Sequence, residues 1–314
     1  MSSEILMKLI EMSNSGFYKG DPKIPAKIAS DGIGRYVKLQ DSDFNFGGSH
    51  AVYWSPATGA HWVYGEILRK YESLGEERSF LGYPKTDELD FPESGRVSSF
   101  ERGEIYWWPD VGAIELGNVV VQFTGLHCFG ETDWDQSSNS DEPYAVIGVL
   151  SPIGTSTYRS QVYQDVDGGE SRSDQMELYK GKPAGLVLSV ILNEHDFADP
   201  QKYSEIVKSS AEKAFEAAKL LISLIPKIGP VLSEGLGVGY SIFKKEIENE
   251  IQNTLHFGDD ELGTASIALS EKQMVVLAAR TARSSFRGVT FKLETPLLSK
   301  DGASYKVCFN IEPA

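Results

Sequence analysis

Acidic side chains gather in three stretches beyond residue 130, each beside an apolar run. They lie at 131–135 with Asp141 and Glu142, at 194–199, and at 259–260. Carboxylates brought together repel one another and raise one another's pKa unless a cation lies between them. Calcium binds six to eight oxygen atoms from carboxylates and carbonyls, so such loops at one end of a sheet predict a calcium site. The alternative is that they are ordinary solvated turns.

Aromatic side chains dominate the first 118 residues, which contain four of the five tryptophans. An exposed aromatic ring suits the C–H face of a sugar, and concave aromatic sites with a few polar groups are typical ligand sites. The predicted glycan-binding side chains are Trp54, His61, Trp62, Trp107 and Trp108. The alternative for each is a packing or turn role.

Patterns for catalysis are weaker than these binding patterns. The sequence has no Gly-x-Ser-x-Gly elbow, no phosphate-binding Walker loop and no His-Glu-x-x-His zinc motif. His195, at a strand end, would point away from Glu194 and Asp196 on either side of it. Asp87 and Glu88 have the residue types of a glycosidase, but adjacent residues rarely face one substrate. We therefore expect a binding protein, with a hydrolase as the alternative.

Length, charge and cysteine count exclude several classes of function. The 314 residues are about twice the usual length of one domain, and 41% hydrophobic residues are typical of globular proteins. The net charge of -15 disfavours nucleic acid, and it repels an anionic membrane unless a cation intervenes. Two cysteines are too few for a disulfide scaffold or a four-thiolate zinc site.

The N-terminal residues have the spacing of a short amphipathic helix. They lack the basic start and long apolar core of a signal peptide, and Ser2 stands where N-myristoylation requires glycine. We expect a cytoplasmic or non-classically released protein, with peripheral membrane association as an option.

The first 118 residues contain an internal repeat. His50–Ala60 aligns with Gly103–Ala113, which places Tyr53 and Tyr106 at equivalent positions about 50 residues apart, as in proteins built from repeated units. The apolar spacing in Val63–Leu74 predicts a short helix. Each unit is therefore predicted to be a hairpin followed by a helix.

These segments resemble the LGFP repeat of cell-wall-associated proteins. The matching residues are Phe80–Glu88, Gly95, Arg96, Phe100, Gly103 with Ile105–Trp107, and in the preceding half Val52–His61, Val63, Gly65, Ile67 and Tyr71. The resemblance covers one and a half to two repeats. It implies a module that attaches a protein to a cell wall or a glycan.

From Val119 onward, short apolar strands alternate with turns and acidic loops, which predicts an antiparallel β-sandwich. The predicted strands are 119–123, 144–150, 158–163, 185–192, 262–269, 289–293 and 305–311. The predicted fold class is α+β, mainly β. It comprises an LGFP-like repeat domain at 1–118 and a sandwich at 119–314 that carries an inserted helical hairpin at about 200–257.

The order of these strands and acidic loops resembles the C-two domain, a calcium-dependent lipid-binding sandwich. Ser140–Tyr144 is similar to its Ser-Asp-Pro-Tyr signature with one residue inserted. Val190–Asp196 is similar to its strand ending in Asp-x-Asp, and Asp260–Leu269 to its Asp-x-Ile-Gly turn and strand. The resemblance implies calcium as cofactor, with the ligands Asp133, Asp135, Asp141, Glu194, Asp196 and Asp260.

The inserted hairpin takes the place of a loop whose tip meets the membrane in C-two domains. Its centre, Leu220–Phe243, is apolar, but neither arm has the ~20 continuous apolar residues of a spanning helix. The side chains predicted to enter a bilayer interface are Leu221, Ile225, Ile228, Leu232 and Leu236. The alternative is an amphipathic hairpin that covers a sheet face or makes a dimer.

Two functions follow from these patterns. The first is a non-enzymatic, calcium-dependent protein that binds membrane and glycan and inserts its hairpin, as in a membrane-damaging, toxin-like effector. The alternative is a soluble glycan- or cell-wall-binding protein whose second domain is structural or oligomerising. The predicted partners are a phospholipid membrane, a surface glycan or both, with a second copy of the chain as a further option.

Overall fold

The computed structural model describes residues 3–131, 140–152, 154–195, 260–282 and 293–314. The chain forms two compact units, Met1–Asn118 and Val119–Ala314. In both units the described residues form mainly antiparallel sheets with a few helices, which confirms the predicted α+β, mainly β class.

The elements are numbered along the described chain. The helices are α1 (Ser3–Asn14), α2 (Gly65–Leu74) and α3 (Glu271–Ala282). The strands of the first unit are β1 (Lys27–Ile28), β2 (Arg35–Leu39), β3 (His50–Ser55), β4 (Gly59–Tyr64), β5 (Leu89–Phe91), β6 (Gly95–Ser99), β7 (Glu104–Trp108) and β8 (Gly112–Leu116). Those of the second unit are β9 (Val119–Gly130), β10 (Pro143–Ser151), β11 (Gly154–Arg159), β12 (Ser171–Gly181), β13 (Leu186–Glu194), β14 (Asp260–Leu269), β15 (Leu293–Glu294), β16 (Leu298–Lys300) and β17 (Ala303–Pro313).

The first unit contains one strand arrangement twice. One sheet has the order β1-β2-β3-β4 and the other has the order β5-β6-β7-β8, with all neighbours antiparallel. In each sheet the last strand begins at a glycine with positive φ, Gly59 at 84° and Gly112 at 89°, where a larger residue would be strained. The internal repeat of the sequence is therefore also a structural repeat.

Helix α2 joins the two repeats through a shared core. Ile67, Leu68 and Tyr71 lie on one face at three-to-four spacing and are buried. The helix contacts β3 and β4 of the first sheet and β7 and β8 of the second. It ends at Gly75, whose φ of 100° lets its backbone N–H donate hydrogen bonds to carbonyl groups of the last turn. The repeats are therefore packed on one helix.

Helix α1 covers the opposite face of the first sheet. Ile5, Leu9 and Met12 are buried in a cluster that includes Trp62 of β4. Because side chains alternate along a strand, Trp62 faces α1, whereas its neighbour Val63 joins the core around α2. Both faces of β4 are therefore covered by helices.

The second unit is built on two antiparallel sheets. Their orders are β11-β10-β13-β14 and β12-β9-β17-β15, with β16 also paired to β17. β10 and β13, which are mostly apolar, are buried along their whole length. Helix α3 contacts β14 of one sheet and β17 of the other. The Tyr305 hydroxyl of β17 donates to the Asp141 carboxylate, just before β10, at 2.5 Å. This helix and this hydrogen bond connect the two sheets.

The predicted hairpin at 200–257 lies outside the described residues, as do Leu221, Ile225, Ile228, Leu232 and Leu236. Its insertion into a membrane therefore stays a prediction. Across the five described ranges, no helix is both long and apolar enough to cross a membrane.

Candidate functional site

A cleft of about 410 Å³ opens in the first unit beside α1 and β4. This volume falls within the range of small-molecule sites, about 300–1,000 Å³. The aromatic side chains that line the cleft are Phe17, Phe46, Trp62 and Tyr64. Its charged side chains include Lys8, Asp87, Glu88 and Arg96. We call it the first cleft.

The aromatic rings form a wall of the first cleft. Trp62 and Tyr64 are two residues apart on β4, so they share one face, and their rings stack with centroids 4.5 Å apart. The ring centroid of Phe17 lies 5.8 Å from that of Trp62, and the ring centroid of Phe46 lies 5.5 Å from that of Tyr64. Phe17 is 46% exposed and Phe46 is 36% exposed, whereas Trp62 is only 8% exposed. The two phenylalanines therefore offer the accessible apolar surface.

Asp87 connects the wall to helix α1. Its Oδ1 accepts a hydrogen bond from the Trp62 backbone amide at 2.8 Å, and its Oδ2 is paired with the Lys8 ammonium. The His61 Nδ1 lies 3.6 Å from Oδ1. Burial raises the pKa of Asp87, but the nearby His61 ring and the hydrogen bonds from Lys8 and the Trp62 amide outweigh this, so the pKa lies below its ordinary value. Asp87 is therefore held as a paired carboxylate.

Glu88 is paired with Arg96 on the other side of Tyr64. The Arg96 Nε donates to Glu88 Oε1 at 2.8 Å, and the Arg96 Nη2 donates to the Tyr64 hydroxyl at 3.2 Å. Burial raises the pKa of Glu88 above its ordinary value despite both neighbours, and burial raises the pKa of Tyr64 to about 12. Asp87 and Glu88 thus both line the cleft, contrary to the expectation that adjacent residues face apart.

A second cleft of about 240 Å³ adjoins the first. Tyr64 and Glu88 line both clefts and therefore lie between them. The second cleft is also lined by Arg69 and by Trp107 of β7, a partly exposed ring that packs on the core around α2. Each cleft therefore has its own tryptophan.

The predicted glycan-binding residues have different environments. Trp62 lines the first cleft, with His61 against its Asp87, and Trp107 lines the second. Trp54 is half-buried on the α1 side of the first sheet and lines neither cleft.

Trp108 is a packing residue rather than a ligand contact. Its side chain is fully buried, and its Nε1 donates to the Pro92 carbonyl at 3.0 Å. A Cβ on Gly95 would lie 2.4 Å from this nitrogen, so glycine at that position makes room for the ring. The alternation along β7 places Trp108 on the face opposite Trp107.

The sequence did not predict Phe17, Phe46, Tyr64, Lys8 or Arg96 as binding residues. Two signals were available: Arg96 is among the residues that match the LGFP repeat, and Tyr64 stands two residues after Trp62 on a predicted strand. Phe17 and Phe46 lie in irregular segments without periodicity. Lys8 and Arg96 come to the cleft from a separate helix and a separate sheet, which no local pattern indicates.

Half of the predicted calcium ligands can be placed. Asp141 and Glu194 are described and Asp260 is placed by its strand register, whereas Asp133, Asp135 and Asp196 lie outside the described residues. Within the part of the chain that the structure covers, no group of three His, Cys, Asp or Glu side chains is arranged to hold a metal ion. The described carboxylates alone therefore do not make the site, and calcium stays a prediction.

By strand register, Asp141, Glu194 and Asp260 nevertheless come to one end of one sheet. Glu194 of β13 is the register partner of Asp260 on β14 and of Pro143 on β10. Asp141 precedes Pro143 by two residues and accepts the hydrogen bond of Tyr305. Glu194 and Asp141 are both buried.

Comparison with protein families assigns the repeats. Residues 20–79 and 81–122 match the family model of the LGFP repeat, one segment for each four-stranded sheet. Comparison with curated proteins gives no match. The match stops at residue 122, so the resemblance of the second unit to C-two domains stays a prediction. Residues 20–122 thus carry the LGFP repeats that the sequence predicts.

Proposed function

We propose that the protein binds a cell-wall or surface glycan through the clefts of its first unit. The observation that carries this proposal is an exposed aromatic wall, Phe17 and Phe46, beside charges that are already paired. A sugar presents apolar C–H faces to aromatic rings and hydroxyl groups to charged hydrogen-bonding partners. The LGFP match supports the same function class.

The paired charges favour a neutral sugar over a charged one. Lys8 is paired with Asp87, and Arg96 with Glu88. An ionic ligand would have to separate one of these half-buried pairs. Leaving a buried charge without its partner costs free energy. A hydroxyl group can instead add a hydrogen bond to an existing pair. The binding groups therefore suit an uncharged glycan.

Co-sedimentation of the full chain with insoluble peptidoglycan, chitin and cellulose tests the proposal. Phe46→Ala is expected to weaken retention about fivefold, because it removes one aromatic contact worth about 1 kcal/mol. Phe80→Ala is the matched control, since Phe80 is a 52% exposed phenylalanine of the same unit outside both clefts. Retention of none of the polymers, or equal losses in both variants, would contradict the proposal.

Binding without hydrolysis is part of the proposal, although Asp87 and Glu88 have the residue types of a glycosidase. Lys8 and Arg96 hold these carboxylates in ion pairs, which favours a structural role for them. Reducing sugar released from the retained polymer is the measurement. Steady release by the wild-type protein that disappears in Glu88→Gln would show an enzyme instead.

Calcium-dependent membrane contact by the second unit is the second candidate function. The observation that supports it is the register pairing of two acidic residues, Glu194 and Asp260, on neighbouring strands, since a cation is well placed beside two acidic positions. Sedimentation with phosphatidylcholine–phosphatidylserine liposomes, in calcium or in chelator, tests it. Binding in calcium alone supports the candidate. Equal binding in both conditions, or in neither, excludes it and leaves a structural or oligomerising second unit.

A further inference from the structure

We infer that the two adjoining clefts form one groove for a linear, neutral oligosaccharide that lies across both LGFP repeats. The inference rests on the proposed glycan binding and adds the form of the ligand. Its first basis is geometric, because Tyr64 and Glu88 line both clefts. A ligand that fills one cleft and extends past these residues enters the other.

Both repeats build both clefts. In the first cleft, Trp62 belongs to the first repeat, whereas Asp87 and Arg96 belong to the second. In the second cleft, Arg69 belongs to the first repeat and Trp107 to the second. The groove therefore lies along the interface between the repeats.

Each cleft supplies what one part of a sugar chain needs. The first has the wall of Phe17 and Phe46, and the second has the partly exposed ring of Trp107. Between the two clefts, the Tyr64 hydroxyl and the Glu88 carboxylate can form hydrogen bonds with the hydroxyl groups that flank a glycosidic linkage. Aromatic surfaces on both sides of a polar pair match a chain of sugar rings better than a single ring.

The second cleft is also charge-compensated and open. Arg69 is paired with Glu66 at 2.5 Å, so a neutral ligand suits this cleft as it suits the first. Gly47, Gly48 and Gly65 form part of its lining and leave space where side chains would otherwise stand. An affinity that rises with chain length follows, because only a longer ligand contacts both aromatic sites.

Calorimetric titration of the full chain with chitin and cellulose oligomers of one, two, four and six sugars tests this inference. In the series that binds, the wild-type protein is expected to bind the tetramer at least about tenfold more tightly than the monomer, a difference of about 1.4 kcal/mol. The hexamer is expected to add little, because both clefts are then filled.

Gly47→Gln is designed to fill the second cleft alone. An added Cβ at Gly47 has its nearest neighbour at 3.9 Å, so the backbone there has room for a side chain to begin. We expect the variant to bind the monomer as the wild type does and to lose most of the tetramer's advantage. Gly117→Gln is the matched control, because its Cβ has a similar clearance of 3.7 Å and Gly117 lines neither cleft.

Trp107→Ala is the second variant, and it is expected to lower the tetramer-to-monomer affinity ratio in the same way. Equal wild-type affinity for monomer and tetramer, or a length advantage that survives in both variants, overturns the inference. Retention on an insoluble polymer without binding of any oligomer also overturns it, while leaving the proposed glycan function standing. Failure of both assays overturns both proposals.

Discussion

At the scale of single residues, Asp87 connects separate elements of the candidate site. It joins the Trp62 amide, the Lys8 ammonium and the His61 ring, which come from a strand and from helix α1. The sequence names Trp62 and His61 as candidates because of their residue types. It could not indicate Lys8, because an ion pair between distant segments depends on the packing of α1 against the sheet.

Asp87→Asn is expected to lower the free energy of unfolding at pH 7 by about 1–2 kcal/mol, the usual loss for a charged hydrogen-bonding partner. The folded-state pKa of Asp87 lies below its ordinary value. Its stabilisation is therefore present above the unfolded-state pKa and is lost as the pH falls through the folded-state pKa. The difference in the free energy of unfolding between wild type and variant should shrink below about pH 4. Urea unfolding at pH 7 and pH 3 measures it.

Asp90→Asn is the control for this prediction, because the Asp90 side chain is 94% exposed and its pair with Arg96 is a surface pair of small value. A difference between wild type and Asp87→Asn that is constant over pH would contradict the assigned role of the charge.

At the scale of elements, the strands with strong apolar patterns were the predictable ones. β10 and β13 are mostly apolar and are buried on both faces. β12 was missed because its exposed positions alternate with half-buried polar ones, and its strand form depends on pairing with β9. The strand predicted at 158–163 lies earlier, as β11, Gly154–Arg159. Where strand pairing rather than composition determines the structure, sequence patterns predict the ends of a strand poorly.

Tyr305→Phe is expected to lower the stability of the second unit by about 2 kcal/mol, because the buried hydroxyl donates to a carboxylate of the other sheet. Burial and Asp141 raise the pKa of Tyr305, so the hydroxyl stays a donor at neutral pH. Tyr158→Phe on β11 is the control, since Tyr158 is only half-buried. Equal unfolding midpoints for wild type and Tyr305→Phe would show that the bond does not stabilise the unit.

At the scale of the whole molecule, prediction was strongest where a repeat could be compared with itself. The doubled Tyr-Trp motif identified the LGFP repeats, and the family match confirms them. The sequence of the second unit offered no repeat that could be compared with itself, so its resemblance to C-two domains rested on the order of strands and acidic loops. Its class as an antiparallel β structure is confirmed, while its calcium ligands depend partly on Asp133, Asp135 and Asp196, outside the described ranges.

A fragment of residues 1–118 is expected to fold and to bind the retained polymer within about twofold of the full chain. The physical reason is that the first unit has its own buried clusters around α1 and α2 and contains both clefts. Circular dichroism and the co-sedimentation assay measure folding and binding. A folded fragment without binding would assign the glycan contact to the second unit.

The sharing of cleft walls between the repeats makes the groove a property of the pair. A groove built by both repeats belongs to neither of them, so one repeat alone does not form it. Deleting either repeat here would abolish binding instead of halving it.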